Sequence, residues 1–559
     1  MTITIATTPV DETGRLVHAE DAAAQLCLAF ARLDSALTAR GVGAASIEVL
    51  RIRTRVPVAD LVDLVEEWLA GAPVSVELVD VARLAVPGML VELSARVRLT
   101  TCRTEGSNMT QTTPDVAALR GLDVVYFPGD AGYDQHRAPW NVAVDQRPAA
   151  VAVPRSVEDV IEVVSRAAAL GLRIAPQSTG HAASTLADAD FARVVLLRLH
   201  ELTGVTVDPT ARTARVTGGT LWRDVIAAAA PHGLTALHGS AGDVAVAGFV
   251  LGGGLSFYGR EKGLASSAVR AIELVTADGS FVRATAEDHP DLFWAVRGGG
   301  GNFGVVVALE LDLLDLADVY AGMLLWDIEH APNVVAAWAD WTRSLPESVT
   351  TSLRLMRFPP VPELPPFLSG RSLVVIDGAV LESDSRAAEL LAPLRALSPE
   401  LDTFTRIPTL ALLDVHMDPP FPTPVASDHA MFDHLPAEAI AALLAVAGPG
   451  VETPLMFAGF RHLGGALARP QDAALSHLPG DYALYAVCVT PTPELFAMGE
   501  RITEGVVAAL RPWANDRVFG NFAERPGLAS KAFTPAEWQR LHHIRDTYDP
   551  KRTWLSNHG

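Results

Sequence analysis

Apolar positions in the first hundred residues change period several times. Leu26, Phe30, Leu33 and Leu37 recur at helical spacing in a segment that ends at Gly41. From Ile47 to Val56 the pattern alternates, with Ile47, Val49, Arg51 and Arg53 on one face and Glu48, Leu50, Ile52 and Thr54 on the other, which predicts a strand. Residues 58–69 predict a second amphipathic helix, and 74–81 and 89–97 two more strands. Residues 1–100 therefore read as a small α/β layer. Residues 101–116 are polar and aperiodic, a linker.

From 117 the rhythm shortens. Strands are predicted at 150–154, 173–175, 194–197, 205–207 and 214–216, and helices at 156–170, 221–230 and 287–297. Asp278-Gly279 marks a hairpin between 271–276 and 281–285, and 305–313 is a strongly apolar strand. Residues 319–510 carry strands at 373–376, 454–463 and 482–489, helices at 333–343, 386–396 and 436–447, and proline-rich loops at 359–366 and 418–424. A tail follows, 511–559. Short strands interleaved with helices, without a regular βαβ rhythm, indicate an α+β fold.

Composition narrows the function. The 559 residues carry 44 Lys+Arg against 65 Asp+Glu, a net charge of −21, and this acidic field disfavours nucleic acid as a partner. Cys27, Cys102 and Cys488 are odd in number and widely spaced, so neither a disulfide framework nor a zinc-thiolate site is expected. No metal-ligand motif, secretory signal or long apolar run is evident, so the expectation is no metal, no membrane and a cytoplasmic, reducing location.

The glycine clusters carry the chemistry. Gly299–Gly304 reads GGGNFG, but a helix precedes it and a strand follows, the reverse of the dinucleotide-binding order. Its glycines instead suit close backbone approach to a flat or anionic ligand. His238-Gly239-Ser240-Ala241-Gly242 lacks the glycine that a nucleophile elbow needs two residues before the serine. Ser178-Thr179-Gly180-His181 follows a short strand, and its hydroxyls and backbone N–H groups suit a pyrophosphate.

These segments resemble a known family. Pro128–Asp134, Trp140-Asn141, Arg147-Pro148, Val153-Pro154, Thr179-Gly180-His181, Val246–Gly248 with Leu251–Gly254, Trp294–Gly304, and Tyr548-Asp549-Pro550 with Asn557-His558 match the berberine-bridge-enzyme-like flavin oxidoreductases in order. The resemblance implies a PCMH-type FAD-binding domain over 117–318, shared with vanillyl-alcohol oxidase, to which the tail 511–559 returns. It also implies an antiparallel-sheet substrate domain over 319–510. By the resemblance His181 falls on the histidine bonded covalently to the flavin 8α-methyl. A cysteine that some members add is replaced by Ala241, so a single bond is expected. The implied FAD-binding residues are Gln177, Ser178, Thr179, Gly180, His181, Gly239, Ser240, Val244, Gly248, Gly253, Gly254, Val306 and Asn557.

In such enzymes a substrate C–H leaves as hydride to the flavin while a base takes the alcohol or amine proton. Many relatives place a tyrosine where this chain has Phe519, two before Asn521. Arg461, His462 and Tyr485, on presumed substrate-sheet strands, are the candidate substitutes. The expected function is a covalent-FAD oxidase acting on a small organic molecule with O₂ as acceptor. The alternatives are a dehydrogenase using another acceptor and a redox-inactive binding protein. Residues 1–100 resemble, more faintly, the Rid (YjgF) imine deaminases through Asp21–Gly41, Val49–Thr54 and Leu90–Ala95. Ala72-Pro73-Val74-Ser75 lacks that family's arginine, which implies a degenerate module serving packing or homo-oligomerisation.

Overall fold

The computed structural model describes residues 116–557 except Glu363, and within the first hundred the four strands named next and a few single positions. The chain divides into two compact units, Met1–Gln111 and Thr112–Gly559. In the first, the strands run in the order Thr2–Thr7, Val91–Arg98, Ile47–Thr54, Ser75–Asp80, the last pair parallel and the others antiparallel. Leu50, Ile52 and Thr54 are buried, so that alternating face points inward, as do Leu26, Phe30 and Leu33 at helical spacing. Thr2–Thr7 is a strand that the sequence pattern missed. Most of helix 58–69, most of linker 101–116, Cys27 and Cys102 lie outside the described residues. Of what carries the Rid resemblance, part lies outside the described residues, and nothing described in this unit supports it.

The second unit is α+β. Ala150–Ala152, Val194–Arg198 and Arg173–Gln177 pair in parallel, with Val125–Tyr126 antiparallel at the edge. Helix Val157–Ala169 makes the first crossover, so one βαβ unit does occur where no such rhythm was expected. Its N-cap Ser156 accepts from Asp159 N, and Val160, Val163, Val164 and Ala167 pack down. A five-stranded antiparallel sheet follows, ordered Phe281–Ala284, Val269–Val275, Val305–Asp312, Thr213–Thr217, Val205–Asp208. The expected hairpin is there. The tail comes back to the parallel sheet: Ile174 N donates to Thr553 O and Leu555 N to Ile174 O. Asp549 holds that return by accepting from Thr553 N and Trp554 N.

The eight-stranded antiparallel sheet runs Leu401–Asp402, Asp318–Asp327, Ser372–Val380, Val349–Arg357, Leu455–His462, Tyr482–Val489, Val425–Phe432, with Thr405–Pro408 beside the second strand. Side chains alternate between its faces. Leu353, Leu355, Val374, Ile376, Ala458, Phe460, Leu484 and Ala486 face helices Ala331–Thr342, Asp384–Arg395, Ala437–Ala447 and Pro493–Leu510. The opposite face carries Ser352, Arg354, Asp377, Arg461 and Tyr485. Three ties join it to the FAD-type layers. Asn141 pairs its amide with both Val425 N and Val425 O at 3.0 Å. Ser240 Oγ donates to Asp418. Arg260 donates to the carbonyls of Leu463, Pro346 and Val349. Among the described residues no helix is long and apolar enough to cross a membrane.

His238 and His429 are buried, and burial pushes both from 6.5 down to about 4. His429 Nε2 accepts from Phe519 N at 2.9 Å, which requires the neutral ring. The folded pKa lies below the unfolded one, so the stability is present above pH ~6.5 and lost as pH falls toward 4, where the unfolded chain takes protons that the folded one refuses. Each ring contributes up to about 3 kcal/mol to that loss. Thermal melts from pH 7 to pH 4.5 are expected to fall steeply, and His429→Gln, which retains an acceptor, to flatten the slope. An unchanged slope in that variant would refute the account.

Candidate functional site

Between the FAD-type layers and the polar face of the large sheet lies a cavity of about 370 Å³. Its walls include Gln177, Ser178, Thr179, Gly180, His181, Gly239, Ser240, Val244, Gly248, Val306 and Asn557 from one side and Arg461, His462 and Tyr485 from the other. Gly253 and Gly254 are not on the wall. They form the turn after helix Val246–Leu251, where Gly254 N donates to Asn521 Oδ1 and the Gly253 carbonyl accepts from Ser266 N.

Strand Arg173–Gln177 delivers the loop that holds His181. Gly180 turns it at φ +85°, and a Cβ there would meet Gln177 Nε2 and Pro139 Cβ at 2.7 Å, so only glycine fits. Ser178 Oγ anchors the loop on Gly218 O. The His181 ring stacks on Trp140, centroids 4.2 Å apart and planes 17° apart. Its Nδ1 lies 2.8 Å from Thr179 Oγ1 and its Nε2 4.0 Å from Asp243 Oδ1, while Trp140 Nε1 donates to Asp243 Oδ2 at 2.7 Å. Burial pushes the imidazole down to about 4, against the pull of Asp243, so it is neutral at physiological pH. A neutral ring whose Nδ1–H donates to Thr179 would leave the Nε2 lone pair free to act as a nucleophile.

Two observations test whether a flavin nucleotide fits. Gln146 Nε2 donates to Gln177 Oε1, which leaves Gln177 Nε2 buried on the cavity wall without a partner. Gly248, also on the wall, has nothing within 4 Å of where a Cβ would stand. An unanswered donor and an open cradle beside a flat Trp–His stack suit a planar, acceptor-rich ligand.

The sheet side is polar and buried. Asp377 accepts from Ser352 Oγ, from Arg354 Nη2 at 2.7 Å and from His416 Nδ1 at 2.6 Å. His416 Nε2 in turn accepts from Arg461 Nη2, so this chain fixes the Nδ1–H tautomer and holds the Arg461 guanidinium at the wall. Burial opposes ionisation of Asp377, but His416 and Arg354 outweigh it and hold the carboxyl well below the usual range. Tyr485 Oη donates to Glu524 Oε1 at 2.6 Å, and Ser184 Oγ to Oε2 at 2.9 Å. Burial and the adjacent Glu524 raise the Tyr485 phenol well above 10, so it stays protonated.

His462 follows Arg461 on one strand, and consecutive side chains point to opposite faces. Its ring stacks on Tyr482 at 5.6 Å and meets Trp338 edge-on at 6.5 Å. Burial, reinforced by Arg260, pushes it down to about 2, too weak for a general base at neutral pH. The cation Arg461 is a positioning or binding group, not a base. Sequence reasoning missed Glu524, Asp418, Asp243 and His416. Each lies in a loop between periodic elements, and only the fold brings them to the cavity or behind it.

Residues 148–285 match the family described as FAD binding domain. The chain is 36% identical over 211 residues to (R)-6-hydroxynicotine oxidase of Paenarthrobacter nicotinovorans, covering 38% of this chain and 45% of that protein. It is 30% identical over 245 residues to glucooligosaccharide oxidase of Sarocladium strictum, covering 43% of this chain and 49% of that protein. The matches thus span about half the length of these curated relatives. Among solved structures, 6-hydroxy-D-nicotine oxidase from Arthrobacter nicotinovorans superposes with a TM-score of 0.68 at 22% identity, covering 78% of this chain and 97% of that one. A BBE-like 1 variant from Physcomitrella patens gives 0.69 at 19%, covering 79% and 98%. The fold is therefore the expected one: a PCMH-type FAD-binding domain joined to an antiparallel substrate sheet.

Asp377→Asn removes the carboxylate charge that Arg354 and His416 both hold. Breaking a buried pair in this way costs about 3–5 kcal/mol. Guanidinium unfolding is expected to show that loss, against about 1 kcal/mol for Ser352→Ala. Equal effects would mean that the charge is not what holds the cluster.

Proposed function

We propose that the protein is an FAD-dependent oxidoreductase, an oxidase whose flavin is bonded to His181 and which oxidises a small organic alcohol or amine with O₂ as the final acceptor. The observation that carries this reading is a neutral, Trp-stacked His181 at the mouth of a glycine-lined cavity, inside a segment of FAD-binding type. Relatives named as oxidases support it. When bound, the flavin accepts the hydride and returns the electrons to the acceptor.

The chain's own residues supply the rest. Gln177 Nε2 and the backbone about Gly180, Gly239, Ser240, Gly248 and Asn557 bind. Trp140 and Thr179 orient His181. Phe519 is buried against Phe522 and has no proton to exchange. The Tyr485 phenol is no base in its ground state, but it can take a substrate proton at Oη as its own proton passes to Glu524. The N-terminal unit is left as a packing or self-association module, with no part in this chemistry.

Wild-type protein is expected to keep its yellow colour after acid denaturation, on a single peptide containing His181, whereas His181→Ala releases it. Flavin that washes fully from the wild type would refute the covalent bond. Gly248→Leu sits on a helix and meets no atom nearby, so it is expected to fold with an unchanged flavin-free melting temperature yet lose most bound FAD. Full occupancy in that variant would place the cofactor elsewhere. Peroxide formed in proportion to substrate distinguishes an oxidase from a dehydrogenase.

A further inference from the structure

Glu524 is met by hydroxyls, those of Tyr485, Ser184 and Ser427, and by no cation among the described residues. Tyr485 and Ser184 answer its two oxygens, and both are neutral. The neighbouring Arg525 turns away to Asp428 at 3.1 Å and Glu504 at 3.5 Å. Among the described residues no Lys, Arg or His forms an ion pair with it, and burial raises its carboxyl. An ion in this position is destabilised by several kcal/mol unless a countercharge arrives.

The other carboxylates on the wall differ from it: Asp243 is about a third exposed to water, and Asp418 feels the charge of Arg461. Asp243 accepts from Trp140 and lies 4.0 Å from His181. Asp418 accepts from Ser240 and lies 4.0 Å from His416, which carries Arg461. Arg461 is the single Lys or Arg on the described wall, against the carboxylates Asp243, Asp418 and Glu524. An anionic substrate would therefore meet net repulsion. Beside Glu524 the lining turns apolar: Phe522 stacks on Tyr485 with centroids 4.8 Å apart, and Phe457, Met456 and Val487 continue the surface.

We propose that the substrate is an amine bound as its ammonium ion, the charged nitrogen donating to Glu524 beside the Tyr485 hydroxyl and the apolar body lying against Phe457, Phe522 and Met456. This rests on reading the cavity as the oxidoreductase site and narrows its substrate class from alcohol or amine to amine. A neutral alcohol would leave Glu524 either uncompensated or protonated, and an acid would add a fourth negative charge.

The test uses three planar probes of one shape that carry no oxidisable C–H next to nitrogen: benzamidine (cation), benzamide (neutral) and benzoate (anion). Their binding to the holoprotein is measured by calorimetry near pH 7. Benzamidine is expected to bind at least roughly tenfold more tightly than benzamide, the worth of one charge-assisted pair, with benzoate weakest. Glu524→Gln is expected to erase that advantage, while Tyr485→Phe and Asp418→Asn keep it. The wild-type ranking needs no variant. Benzamide binding as well as benzamidine, no binding by any probe, or an advantage that survives Glu524→Gln each overturns the proposal. The flavin spectrum of the same sample reports separately. A colourless protein that prefers benzamidine refutes the oxidoreductase reading and keeps the cation site; a yellow one indifferent to charge does the reverse.

Discussion

A sheet buried on both faces can hold a polar ligand only if the polar groups of the second face are satisfied without water. Here that constraint falls on Asp377. Its carboxylate is fully buried, and Ser352, Arg354 and His416 all point at it. Removing it would leave Arg354 as an unpaired cation in the interior and would free the ring that holds Arg461. The placement of Arg461 at the cavity wall, and hence the shape of that wall, follows from one buried anion meeting its donors.

The opposite wall is built by exclusion rather than attraction. Gly180 is required because any side chain would strike Gln177 and Pro139. The turn it permits lays His181 flat on Trp140, and burial there keeps the imidazole neutral. A charged imidazole would be no nucleophile, so the same packing that strips its water also keeps a ring lone pair available. Asn141, Ser240 and Arg260 fix the two walls to one another through hydrogen bonds to the sheet or its loops.

The fold was readable where pattern and environment agree. The Asp278-Gly279 hairpin, helix Val157–Ala169 and strand Val305–Asp312 announce themselves by turn chemistry or by uniform apolarity. Strands Val349–Arg357 and Val425–Phe432 did not, because buried Thr, Ser, Arg, Asp and His side chains interrupt their apolar pattern and read as solvent-facing. The glycine and histidine of the cofactor wall were legible as a motif. His462 reaches the cavity wall, but its ring stacks on Tyr482 and meets Trp338, because adjacent residues on a strand face opposite ways. Glu524 carries no local signal, since its partners Tyr485 and Ser184 lie 39 and 340 residues away in sequence.

Asp377, fully buried, and Glu524, part-buried on the cavity wall, make the strongest contrast in the structure. Both lose water, and desolvation pushes both toward the neutral acid. Asp377 is nevertheless held well below the usual range, because cations and a ring N–H surround it. Glu524 is raised, because only hydroxyls reach it. Their roles separate accordingly. Asp377 has its countercharges built into the chain and serves the architecture, with no charge left to offer. Glu524 has a charge whose partner the chain does not supply, on a wall where a ligand can approach. A group of that kind can accept a cation, whereas Asp377 cannot without unbalancing the cluster it holds. The polarity of the site is thus set by where the arginines are placed: Arg354 and Arg461 near the structural acid, and no arginine paired with Glu524 among the described residues.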